Sequence, residues 1–189
     1  MPLPTLLHEA HARARAAAEA STDGAVPEHR PVAAVLTCSD ARVSPARLFD
    51  LPPGSLFVVR VAGNIATPEA VASLTYAVEH LDVDTVIVLG HTHCGAVTAA
   101  LAGDEQPALA PLVDPIRPTV SEASCVDLTC AVPANVVATV QALGTGDGPL
   151  ARAIREGRVD AYGAVLDLID QSITPIPTHP TPEPMEPIS

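Results

Sequence analysis

A chain of 189 residues with a net charge of −12 is long enough for one domain with a substantial core, and too acidic to offer a nucleic-acid surface. Its 10 cations are all arginines, scattered and without a single lysine, so a phosphate backbone would meet no clustered positive face. The 48% hydrophobic share is mostly Ala and Val, which calls for closely packed small side chains, and no apolar run approaches the roughly 20 residues that cross a bilayer.

Residues 3 to 20 are rich in Ala, with Leu6, Leu7 and Ala10 at helical spacing and Arg13, Arg15 and Glu19 for the wet side, and they predict a first helix. Only Leu6 and Leu7 precede charged residues there, too little for a secretory signal. The apolar run over 32–37 predicts strand one, which breaks into Cys38, Asp40 and Arg42. Ser44 and Pro45 suit the cap and first turn of a short helix that Leu51-Pro-Pro-Gly54 stops. Strand two, 56–63, ends in a tight turn at Gly63-Asn64, and a helix runs from Thr67-Pro68-Glu69 to about Leu81. Strand three, 85–90, leads into His91, His93 and Cys94, and Gly95 opens a helix reaching about Ala102. Four prolines over 104–120 predict a loop with room for one helical turn. Residues 121–143 predict two helical pieces parted at Pro133, because an interior Pro costs about 3 kcal/mol. A short helix over 149–156 and a last strand over 159–168 follow. From Ile173 onward the chain carries six prolines in 17 residues and is expected to lack regular structure.

Strands alternating with helices give an α/β fold: a single domain over 1–172 with a mostly parallel sheet of about four to five strands flanked by helices. The Pro-rich tail, 173–189, is left disordered or docked on a partner subunit. Ligands gather at the carboxyl ends of strands in such sheets, and two of these ends carry metal-binding side chains. Two thiolates and an imidazole, from Cys38, Cys94 and His91, suit Zn²⁺ and leave a fourth position open, the pattern of a catalytic site rather than a structural one. Asp40 and Arg42 follow Cys38 by two and four residues, so extended backbone would point all three the same way. Arg42 offers Asp40 a bidentate partner that holds the carboxylate off the metal and aims it at a metal-bound water. A Cys beside Asp and Arg in a chain of this size favours a reduced thiol and a cytoplasmic protein.

The motif CSDAR followed by HTHCG resembles the β-class carbonic anhydrases, and GSLFVVRVAGN, SLTYAVEHLDV, IRPTV and RVDAYGAVLDL look like family segments in family order, over roughly residues 25 to 170. The resemblance implies zinc on Cys38, His91 and Cys94, an Asp40–Arg42 dyad beside the fourth position, and reversible hydration of CO₂ to bicarbonate and a proton by metal-bound hydroxide. It also implies a homodimer or a dimer-based higher oligomer, with no membrane or nucleic-acid partner and with substrate pockets near the subunit interface. Phe57 and Tyr76 would be the pocket aromatics, and His29 stands where many members have a Gln that contacts substrate. The family pattern takes the earlier His of HTHCG, which leaves His93 as a surface or outer residue. Cys125 and Cys130 match nothing in the family motif and read as small buried residues, while His8, His11, His80 and His179 read as surface or packing residues. Two other functions fit the motifs: hydrolysis of COS or CS₂ on the same scaffold, and a non-catalytic zinc-stabilised assembly module. A dyad beside an open metal position argues against the second.

Overall fold

The computed structural model describes residues 28–178, with 7, 9–11, 14, 15 and 26 ahead of them. Most of the expected first helix, His8, and the tail beyond residue 178 with His179 lie outside the described residues. Five strands form one sheet in the order β2-β1-β3-β4-β5: β1 Ala33–Thr37, β2 Leu56–Arg60, β3 Thr85–His91, β4 Asp160–Leu166 and β5 Ile173–Ile176. The first four run parallel and β5 is antiparallel to β4. All five residues of β1 are buried, as a central parallel strand covered on both faces requires. The order reverses between β1 and β3, and this switch point is where an open α/β sheet forms its ligand crevice.

Seven helices are described: α1 Pro45–Leu48, α2 Pro68–Leu81, α3 Gly95–Leu101, α4 Ala110–Val113, α5 Arg117–Glu122, α6 Leu128–Leu143 and α7 Pro149–Arg155. Thr67 caps α2 by accepting from the Ala70 N–H, and Asp82 ends it in the left-handed conformation. On one face of the sheet, Ala34, Leu36, Val86 and Val88 pack with Leu74 and Ala77 of α2 and Val136, Val140 and Leu143 of α6. On the other, Val35, Leu89 and Leu166 pack with Val43 and Leu48. The α6 helix lies close on the sheet because glycines make room for it. A Cβ on Gly90 would stand 2.6 Å from Val136 Cγ2, and one on Gly163 2.8 Å from Val136 Cγ1. No helix among the described residues is long and apolar enough to cross a membrane.

Four expectations need correction. The α6 helix passes through Pro133 without a break. Pro133 lies near the helix start, where it forfeits the bond to one carbonyl, that of Thr129. Burial of Ala131 and Val132 before it, and of Asn135, Val136, Thr139 and Val140 after it, holds the helix on the sheet. The stretch 104–120 is more helical than expected, holding a 3₁₀ turn at Pro107–Leu109, α4 and the start of α5. Pro107, Pro111 and Pro118 each sit in the first turn of these pieces, where no N–H is needed. The strand over 159–168 is not the last, since β5 takes the first residues of the expected tail and pairs with β4. Pro175 is tolerated there because β5 is an edge strand. The fourth correction concerns Cys125 and Cys130, which form a disulfide and are half-buried. Cys125 lies in the loop after α5 and Cys130 in the first turn of α6, with their Cα atoms 5.4 Å apart, inside bridging range.

Candidate metal centre

The ends of β1 and β3 are tied together by Thr37 Oγ1, which donates to the Leu89 carbonyl at 2.8 Å. One residue beyond β1 stands Cys38, β3 ends on His91, and Cys94 occupies the N-cap of α3. All three are buried, and their donor atoms lie within 4.8 Å of one another. The two sulfurs are 4.0 Å apart, close to the about 3.8 Å that separates two thiolates on a tetrahedral ion with Zn–S bonds of about 2.3 Å.

The imidazole of His91 shows the clearest fit to a metal. Its Nδ1 lies 2.8 Å from the Thr92 carbonyl, which fixes the proton on Nδ1 and leaves Nε2 as the free lone pair. That Nε2 is buried and has no hydrogen-bond partner in the protein. A buried nitrogen facing two thiols is satisfied by a cation among them. The thiols give the same answer. Their contact holds one thiol low and pushes the other up: the Cys94 S–H chiefly pulls Cys38 down, whereas the Cys38 thiolate and burial push Cys94 up. Without a cation only one of the two ionises readily, and a divalent ion removes that conflict.

Beyond Cys38 the backbone is not extended, contrary to the alternation expected. It turns: Val43 N–H donates to the Asp40 carbonyl at 3.0 Å and Arg42 N–H to Asp40 Oδ1 at 2.9 Å. The turn folds Arg42 back on Asp40, with Nε donating to Oδ1 at 2.9 Å and Nη2 to Oδ2 at 2.7 Å. This bidentate grip of the Arg42 guanidinium is the main reason that the Asp40 carboxyl lies well below the usual carboxylate range. Asp40 Oδ2 stands 4.0 Å from His91 Nε2, beside the donors but held by Arg42. Arg60 fixes the turn from β2, donating to the carbonyls of Cys38 at 3.2 Å and Asp40 at 2.6 Å. Sequence reasoning missed Arg60, although a lone cation closing the apolar run LFVVR was a visible signal.

The remaining site residues fall elsewhere. His93 is exposed, at a φ of 58°, and is not part of the donor group. His29, Phe57, Tyr76 and His80 form a row of rings, with centroids 6.2, 6.3 and 4.9 Å apart in turn. Phe57 pairs in register with Ala34, four residues before Cys38, or about 13 Å along the strand at 3.3 Å per residue. Within one chain the row therefore stands toward the opposite end of the sheet from the metal donors.

A Cys-His-Cys donor set at the switch point of this sheet, with a carboxylate–guanidinium pair beside it, defines the β-class carbonic anhydrase architecture. The family model described as carbonic anhydrase matches residues 33–173. Carbonic anhydrase 2 of Mycobacterium tuberculosis is 45% identical over 73 residues, which are 39% of this chain and only 35% of that relative's length. A carbonic anhydrase of Pseudomonas aeruginosa is 36% identical over 156 residues, covering 73% of this chain and 70% of its own. Among solved structures, a tetrameric β-carbonic anhydrase of Sordaria macrospora shares the fold at a TM-score of 0.78 and 24% identity, over 92% of this chain and 95% of that one. The chain belongs to the carbonic anhydrase family.

Proposed function

We propose that the protein catalyses the reversible hydration of CO₂ to bicarbonate and a proton, with zinc held by Cys38, His91 and Cys94. The observation that carries this reading is the partnerless buried Nε2 of His91, facing two thiols with the Asp40–Arg42 pair alongside. When bound, zinc lowers the pKa of a coordinated water and so supplies a nucleophile near neutral pH. Cys38 and Cys94 bind as thiolates and cancel the charge of the ion, and the Thr92 carbonyl keeps His91 in the ligating tautomer. Asp40 stays ionised and off the donor set because Arg42 holds both of its oxygens, so the carboxylate serves as a fixed hydrogen-bond acceptor that orients the reacting water.

Phe57, Tyr76 and His29 are assigned to the CO₂ pocket, the rings as its apolar wall and His29 as its polar contact. Their distance from Cys38 along the strand supports a pocket completed by a second copy, hence a homodimer or a dimer-based assembly. The tetrameric Sordaria macrospora relatives are in keeping with that.

Zinc analysis and a CO₂ hydration assay on the same sample test the proposal. We expect about one zinc per chain in the native protein and in Asp40→Asn, with hydration in the variant slower by about 100-fold or more. A native protein that retains no zinc, or an Asp40→Asn variant with unaltered hydration, would overturn it. COS and CS₂ assayed beside CO₂ are expected to be turned over more slowly.

A further inference from the structure

Asn135 is an amide in the middle of α6, 2% exposed, with valines on either side at Val132, Val136 and Val140. Asn is a poor helix former and an expensive residue to bury, and this one makes a single hydrogen bond: its Nδ2 donates to the Gly63 carbonyl, 72 residues away, at 2.8 Å. Gly63 in turn directs its own N–H at the Cys38 sulfur, 3.4 Å away. The turn between these two contacts favours glycine. Gly63 has a φ of 75°, and a Cβ there would stand 2.8 Å from Ile116 Cδ1. The amide of Asn135, the Gly63 turn and the Cys38 sulfur thus form one connected series from the core of α6 to a metal donor.

We propose that Asn135 is a positioning residue of the metal centre, holding the Gly63 turn so that its N–H points at the Cys38 thiolate. An N–H···S bond draws charge from the sulfur, stabilises the thiolate and leaves the bound ion more electrophilic. This rests on the metal reading given above and adds to it a residue that touches neither ion nor substrate. Thr139 supplies the contrast. It lies one turn further along α6, is 4% exposed, and forms no bond to Gly63.

The test uses the full-length protein loaded with cobalt(II), as the native chain, Asn135→Ala, the isosteric Asn135→Asp and Thr139→Val. The thiolate-to-cobalt charge-transfer band, the metal affinity in competition with a chelator, and the Tm are read on each. Asn135→Ala and Asn135→Asp should shift the band and weaken cobalt and zinc binding by about 10–100-fold. Thr139→Val should leave band and affinity as in the native protein. Native-like band and affinity in both Asn135 variants, or equal changes in Thr139→Val, would overturn the proposal. If neither Asn135 variant folds, the native protein loaded with cadmium-113 decides the matter. A scalar coupling between the Gly63 amide proton and the metal supports the proposal, and its absence overturns it. A native chain that takes up none of these ions overturns the metal reading itself, whereas uptake with Asn135 indifferent overturns only this inference.

Discussion

Cys94 is a proposed ligand, fully buried at the start of α3, and its nearest sulfur is that of Cys38. Cys94→Ser should therefore lose most of its zinc, read by metal analysis after dialysis, and full occupancy in that variant would remove Cys94 from the donor set. The pH behaviour follows from two groups. Two thiolates and a neutral imidazole leave a Zn²⁺ site formally neutral, so its water should ionise less readily than the value near 7 of a three-His site. CO₂ hydration is accordingly expected to climb between about pH 6.5 and 9, and a flat profile with zinc retained throughout would refute the charge argument. Asp40 acts on the acid side. Its carboxyl is depressed by Arg42 only in the folded chain, so the contribution to stability is present above about pH 4 and is lost as pH falls further. Urea unfolding between pH 3 and 7 should show a flatter acid limb for Asp40→Asn than for the native protein. The contrast should be modest because Arg42 is largely exposed. At this scale the donors and the dyad were legible, since each lies in a short motif where residue type alone suggests the chemistry. The Gly63–Asn135 contact was not: an Asn within an apolar helix carries no mark of a partner 72 positions away.

Among the elements, the prolines taught the most. Read as breakers, they divided α6 at Pro133 and left 104–120 room for one helical turn; the fold instead uses Pro107, Pro111 and Pro118 to begin helical turns and overrides Pro133 by burial. Local sequence gives the cost of a Pro but not what the rest of the helix gains from the sheet. The same limit applied to Cys125 and Cys130, whose pairing depends on the turn capped by Asp127, which accepts from Thr129 N–H at 2.9 Å and Cys130 N–H at 3.2 Å. Closing this short ring should stabilise the chain by about 2 kcal/mol through loop entropy. Cys125→Ser with Cys130→Ser, compared with the native protein by denaturant unfolding, should show that loss with zinc content unchanged. An unchanged midpoint would mean that the Asp127 cap alone holds the turn.

For the whole molecule, alternation of strands and helices was enough to predict a mostly parallel sheet, because a helical crossover is what joins parallel neighbours. The edge was harder: β5 is four residues long and Pro-bearing, and only its pairing with β4 identifies it as a strand. The row formed by His29, Phe57 and Tyr76 stands toward the far end of the sheet from its own Cys38, and that separation has a genetic reading. If each pocket joins donors from one chain to rings from another, two defective chains should repair one another. Cys38→Ser lacks the donors but keeps the rings, and Phe57→Ala with Tyr76→Ala lacks the rings but keeps the donors. Each should be nearly inactive alone. Unfolded together in equal amounts and refolded with zinc, they should recover about a quarter of native activity, since half of the twofold pairs are mixed and each mixed pair holds one intact site. Mixing without exchange of subunits should recover none, and a refolded mixture as inactive as its components would return the rings to their own chain.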